Sequence, residues 1–188
     1  GAIYGIMSNE SHTSSGAAVA SNLGLGLGYN THPNLNIGIE FNSHNFFVDS
    51  VRQDNYSAQV YSTDGYFKFQ YALVNREKFH YYIGAKVGYT GFTLTAADSA
   101  GVEGVLNLRG PAVGVKTGLR KYFGKSFGIR AEFGLVHKSM YGDTFFVNGI
   151  TEPNINDWLT VADYKVSLTG AYLNVGLTFK FGKPKSVE

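Results

Sequence analysis

The 188-residue sequence contains no cysteine, only four prolines and only two methionines. Without cysteine there is no disulfide framework, thiol nucleophile or thiolate metal site. That absence fits an oxidising compartment without requiring one. Charge is also scarce: 16% of residues are charged, against ~25% in ordinary soluble domains. The 16 basic residues nearly balance the 14 acidic ones, leaving a net charge of +2. So even a balance argues against a nucleic-acid surface or a polyanion tail. No uninterrupted apolar run approaches the ~18 residues of a transmembrane helix. The chain begins at Gly1 rather than at methionine, so either a removed signal peptide or a trimmed start is the expectation.

What is abundant is glycine (24), tyrosine (13) and phenylalanine (14), and they fall into a period-2 pattern. In 21–29, Leu23, Leu25, Leu27 and Tyr29 alternate with Asn22, Gly24, Gly26 and Gly28. Leu35, Ile37, Ile39 and Phe41 follow, alternating with Asn36, Gly38, Glu40 and Asn42. Equivalent alternation runs from Phe67 to Leu73, Phe79 to Tyr89, Pro111 to Leu119, Phe127 to Leu135 and Ala171 to Phe181. Each is the signature of a strand with one apolar and one polar face. A weaker strand at 2–7 is shorter than the ~9–11 residues of a spanning strand, so it is completed either by upstream residues or by something else. With it the count is eight.

The connections alternate in length: short near 30–34, 74–78 and 122–126, longer near 8–16, 45–58, 95–105 and 138–162. That arrangement predicts an all-β, eight-stranded, antiparallel up-and-down transmembrane β-barrel over 1–181, with both termini on the short-turn side. Residues 182–188 read as a short polar tail.

A soluble barrel also pairs an apolar with a polar face, so the choice rests on four further features. Glycine crowds the polar face, as suits the inside of a barrel whose ~8 strands leave just enough room for side chains. The middle of the apolar face is free of charge, and its exceptions, Lys121 and Lys165, stand at strand ends. Aromatic residues gather near the short turns (Tyr29, Tyr71, Phe79, Tyr81, Phe123, Phe127, Phe179, Phe181), with a second group, Phe41, Tyr89 and Phe92, nearer the long connections. The final strand closes as Leu177-Thr178-Phe179-Lys180-Phe181. In this the chain resembles the bacterial outer-membrane barrels typified by OmpA-like domains, whose closing strand carries a terminal aromatic. The resemblance spans the whole chain and implies outer-membrane residence with periplasmic termini. Seven residues follow Phe181, a departure from a strictly terminal aromatic.

The inward face carries Glu40, Lys68, Lys86, Lys116, Arg120, Arg130, Glu132 and Lys180, with His80. Glu40, Lys68, Lys86, Lys116 and Glu132 lie at similar depth from the short turns. Confined charges need partners, so an ion-pair layer centred on the two glutamates, with Arg130 among its cations, is expected. Its reading is a structural plug; an anion-preferring pore is the alternative. A second alternative is catalytic. His137 and Ser139 share one face of a strand and resemble the His-x-Ser arrangement of the lipid A 3-O-deacylase family, with Glu152 to orient the histidine. That resemblance implies an outward-facing hydrolase, yet here Met140-Tyr141 follow the serine where the family has small or amide residues. The remaining histidines lack metal spacing, and Gly24-x-Gly26-x-Gly28 lies within a strand, which rejects a dinucleotide fingerprint. No cofactor or metal is expected.

The stretch 139–162 reads as the longest loop. Its Tyr141, Phe145, Phe146 and Trp158 are candidates for contact with a protein partner or for a folded cap. The expected role is therefore a non-enzymatic barrel in an envelope complex, touching lipid and no nucleic acid.

Overall fold

Alternating apolar and small or polar residues cannot bury one face on a helix, but on a strand they sort cleanly to two sides. In the computed structural model, which describes residues 2–9, 12–47, 56–98, 103–124, 126–148 and 165–180, every regular element is a strand. These are β1 (Ala2–Asn9), β2 (His12–His32), β3 (Leu35–Phe47), β4 (Tyr56–Arg76), β5 (Phe79–Asp98), β6 (Glu103–Tyr122), β7 (Phe127–Asn148) and β8 (Lys165–Phe179). Each pairs antiparallel with the next, and β1 closes the ring by pairing with β8. The protein is an all-β, eight-stranded, up-and-down closed barrel.

The strands run further than alternation alone predicts, and the connections shrink accordingly. β4 begins at Tyr56, β5 reaches Asp98 and β7 continues to Asn148. The first connection, expected over 8–16, narrows to residues between Asn9 and His12. The physical reason is that a ladder continues wherever its neighbour continues. β6 therefore carries β7 through register pairs up to Glu103–Asn148, with one irregularity at Asn107/Leu108. Tyr141, Phe145 and Phe146 consequently stand on a strand and not in a loop. Trp158, Glu152 and the tail 182–188 lie outside the described residues.

Among the described residues, the ring closes along β1. The ladders from β1 to β2 and to β8 both end at Ala2, opposite Val19 and Ala171. Beyond that point β2 runs on to His32 and β8 to Phe179, each paired on one side only among the described residues. Among the described residues no strand lies between these two stretches. The side chains of Asn22 and Asn174 meet 3.1 Å apart. Leu23, Leu25 and Val175 on these stretches are 80%, 72% and 76% exposed, whereas Ile83 and Val87, flanked by strands on both sides, are 45% and 49%.

Candidate functional site

The inside of the barrel is where the sequence concentrates its chemistry, and it is organised in layers. Nearest the short turns, Glu40 on β3 faces Lys86 on β5 (3.1 Å) and Lys116 on β6 (2.7 Å). Lys116 also lies 3.3 Å from Glu132 on β7, and Arg130 stands 3.8 Å from the same carboxylate. The two glutamates are buried and further satisfied. Asn42 donates to Glu40 at 3.0 Å, while Tyr82 and Gln70 donate to Glu132 at 2.6 and 3.4 Å. Arg120 hydrogen bonds to Gln70 and sits 4.4 Å over the Tyr82 ring. Of the six residues singled out for this layer, five are thus joined by direct ion pairs. Lys68 is buried beside them without an ion-pair partner among the described residues, and its ammonium lies over Gly26 on β2.

Tyrosines fill the rest of this level, and glycines make room for them. Tyr82 pairs across the ladder with Gly118, and Tyr172 with Gly134. A Cβ at Gly118 or Gly134 would stand about 2.6 Å from the phenolic oxygen of the tyrosine opposite. The ammonium of Lys86 lies 4.2 and 4.5 Å from the rings of Tyr66 and Tyr172. Glycine on the inward face is therefore the seat of a ring on the next strand, a pairing that also repairs the weakness of glycine in strands.

A second polar layer lies above the first. Asp64 on β4 accepts from Lys138 (2.7 Å), Thr90 (2.6 Å) and Tyr66 (3.1 Å), with the His44 ring nitrogen at 2.9 Å. Lys138 also donates to Ser62 at 3.1 Å. The sequence reading missed this cluster because it ended those strands too early. Carrying the alternation back from Tyr66 and forward from Leu135 would have put Asp64 and Lys138 inside.

Above Asp64 the lumen turns apolar. Ala20, Phe46, Val60, Phe92, Leu108, Met140, Val166 and Leu168 form one buried cluster, with Leu94 and Leu106 against it. Phe46 and Phe92 meet edge to face at 5.7 Å. Phe92, expected in the upper aromatic girdle, is thus part of this plug, because it shares the parity of Thr90 and not of Tyr89.

The exterior inverts at the same height. Below it, outward positions carry Leu23 to Tyr29, Phe67 to Leu73, Val113, Val115, Phe133, Leu135 and Leu173 to Phe179, all exposed. Phe123, Phe127 and Phe179 form a chain of rings near the short turns, at 6.3 and 5.6 Å. Phe41, Tyr61, Tyr89 and Tyr141 mark the other border. Beyond it, outward positions are Ser43, Asn45, Gln59, Arg109, His137, Lys165 and Thr169. A ring of large apolar side chains exposed on every side, bounded by aromatics and then by polar residues, is the surface of a barrel in a bilayer. The chain is built as a membrane-spanning β-barrel.

No family model matches the sequence, and neither does any curated protein. Among solved structures, the barrel is similar to Neisserial surface protein A (13% identity, TM-score 0.46, covering 96% of this chain and 93% of that one). It is similar also to Ail, the attachment invasion locus protein of Yersinia pestis (12%, 0.44, 96% and 94%), and to CarO of Acinetobacter baumannii (13%, 0.37, 96% and 97%). At these values the likeness carries no weight of its own, and the architecture is read from the ladder and the exterior.

Two residues of the catalytic alternative lie on β7. His137 and Ser139 do point outward on β7, but above the apolar belt. The His137 ring nitrogen Nδ1 lies 2.8 Å from the Thr169 hydroxyl on β8, and no hydrogen bond joins His137 to Ser139. Among the described residues no group of histidine and carboxylate side chains could hold a metal ion.

Proposed function

We propose that the protein is a non-enzymatic barrel of the bacterial outer membrane, with periplasmic termini, that works as a structural or docking subunit through its non-periplasmic end. The observation that carries this reading is the apolar plug of Phe46, Phe92, Leu108, Met140 and Val166 above two polar layers. Water and ions cross apolar constrictions poorly, and stacked ion pairs below leave the lumen occupied by side chains. A barrel filled in this way offers its outer surface and its connections, not a passage. The polar collar of Asn45, Gln59, Arg109, His137 and Thr169 then stands clear of the bilayer, where a protein partner can reach it.

Planar-bilayer recording of the purified barrel tests the reading: a silent protein is expected, and reproducible conductance steps would replace it with the anion-preferring pore. Because the chain has no cysteine, a single Thr169→Cys variant can be labelled on intact cells to test the orientation. Labelling only after the outer membrane is breached would reverse the assignment of periplasmic termini. Co-purification in mild detergent tests for a partner, and a consistently solitary barrel counts against the docking role. Ser139→Ala addresses the hydrolase reading, which requires lipid acylation to change.

A further inference from the structure

The short-turn end of the lumen carries a row of cations that the ion-pair layer does not use up. On adjacent antiparallel strands, His80 of β5 stands directly opposite Arg120 of β6, and Arg120 directly opposite Arg130 of β7. The three share the inward parity of Tyr82, Gly118 and Glu132, the next inward row above them. Lys180, just past β8, keeps the parity of Asn174 and Thr178. Its backbone N–H donates to the Ser126 carbonyl at 2.8 Å, which fixes it at the same end. All four side chains are half-buried and open toward the mouth, whereas the glutamates above them are buried. Like charges directly opposite one another weaken a ladder, so two facing arginines call for a compensating group.

The neighbouring side chains supply little of it. Glu132 is taken up by Lys116, Tyr82 and Gln70, and Arg130 reaches it only at 3.8 Å. Arg120 commits Nη2 to Gln70, a neutral amide, and lies over the Tyr82 ring. The Nε atoms of both arginines are buried with no hydrogen-bond partner among the described residues. A buried donor left unmade is costly, and an acceptor brought to it is rewarded accordingly. His80 is oriented rather than neutralised, its ring set edge-on to Tyr122 at 5.4 Å. Around the rim, the described and exposed Arg76, Lys78 and Lys121 outnumber Glu77. A mouth lined by one sign of charge, with low-dielectric walls, concentrates ions of the other sign.

We propose that this mouth binds the phosphate group of a small soluble molecule, held between the guanidinium groups of Arg120 and Arg130 with Lys180 and His80 beside them. Arginine suits the task because its planar fork presents paired donors to an oxyanion, and phosphate has acceptor oxygens enough for both forks at once. The ligand is soluble because the row faces the lumen, and the wall of β5, β6 and β7 stands between it and the lipid. The apolar plug at the other end makes the site a dead end, a place of binding and not a step in passage. The site lies at the opposite end of the barrel from the polar collar, so it stands or falls apart from the docking role.

The test titrates the full chain with sodium phosphate in dodecyl maltoside micelles, which contain no phosphate, against sodium chloride at matched ionic strength. Amide resonances of 118–122 and 128–132 should shift and saturate with a dissociation constant of about 1 mM or tighter, while those of the apolar plug stay fixed. Arg130→Gln removes the charge but keeps a donor, and should weaken binding about tenfold or more. Lys121→Gln lies at the same level but faces outward between Phe79 and Ile129, and should change it by less than about threefold. Should Arg130→Gln fail to fold, the unaltered chain decides: its resistance to urea should rise with phosphate and not with matched chloride. Shifts that never saturate, or that chloride reproduces, are charge screening alone and overturn the proposal. A Lys121→Gln variant that weakens binding as much as Arg130→Gln does the same. If phosphatidylglycerol added to the micelles moves these resonances and inorganic phosphate does not, the group belongs to a lipid and the proposal also fails.

Discussion

On β7, Phe133 and Leu135 point outward into the apolar belt, while Met140, five residues after Leu135, points into the lumen and is fully buried. His137 and Ser139 take the outward positions above. The same strand thus carries apolar residues on opposite faces at its two ends. β4 does likewise, with Phe67 and Phe69 outward and Val60 inward, and so does β8, with Leu173 and Val175 outward and Val166 and Leu168 inward. The parity of the strand does not change; the solvent outside it does. Where lipid surrounds the barrel, the hydrophobic effect gives no reason to hide apolar groups, and polar groups must retreat to the lumen and pair. Where water surrounds it, apolar groups are driven inside and the lumen acquires an ordinary core. The border between the two regimes marks the edge of the bilayer, at Phe41, Tyr61, Tyr89 and Tyr141.

The comparison can be broken first at the polar layers. Glu40→Ala leaves Lys86 and Lys116 buried without their shared carboxylate and should cost about 3–5 kcal/mol, read as a shift in urea unfolding from vesicles. Loss of less than 1 kcal/mol would mean that the lower lumen is wet enough to screen its charges. In the upper core, Leu108→Ala should cost about 2–5 kcal/mol, a value expected of a water-soluble core and not of a side chain facing lipid. At the belt, Phe133→Arg should cost about 2–4 kcal/mol near the midplane, whereas Thr169→Arg above the border should stay within about 0.5 kcal/mol. Equal costs at the two positions would erase the border. Between those two values, Gly134→Ala forces the Tyr172 ring from its seat and should cost about 1–3 kcal/mol, with loss of the Lys86 contact visible in the tyrosine resonances.

Much of the lower half was legible because alternation there coincides with solvent polarity. Leu23 to Tyr29 and Phe127 to Leu135 point outward as their parity implies, and Glu40, Lys86, Lys116, Arg130 and Glu132 point inward together. The upper half was hidden because its apolar parity is reversed, so Phe92 was placed on the wrong face, and Asp64 and Lys138 were passed over in stretches taken for loops. The likeness of Tyr141, Phe145 and Phe146 to a sticky loop had the same origin: aromatic residues among polar ones look irregular until the strand beneath them is seen.

By itself, the sequence determined that this chain forms strands, roughly how many, and that their charge-free face meets lipid, because period-2 patterning and the cost of charge in hydrocarbon are local properties. Only the tertiary structure decided which charges meet, since Glu40 reaches Lys86 and Lys116 across the lumen through strand tilt and register. Tertiary structure alone also set the register by which β1 joins β2 to β8, with Ala2 opposite Val19 and Ala171.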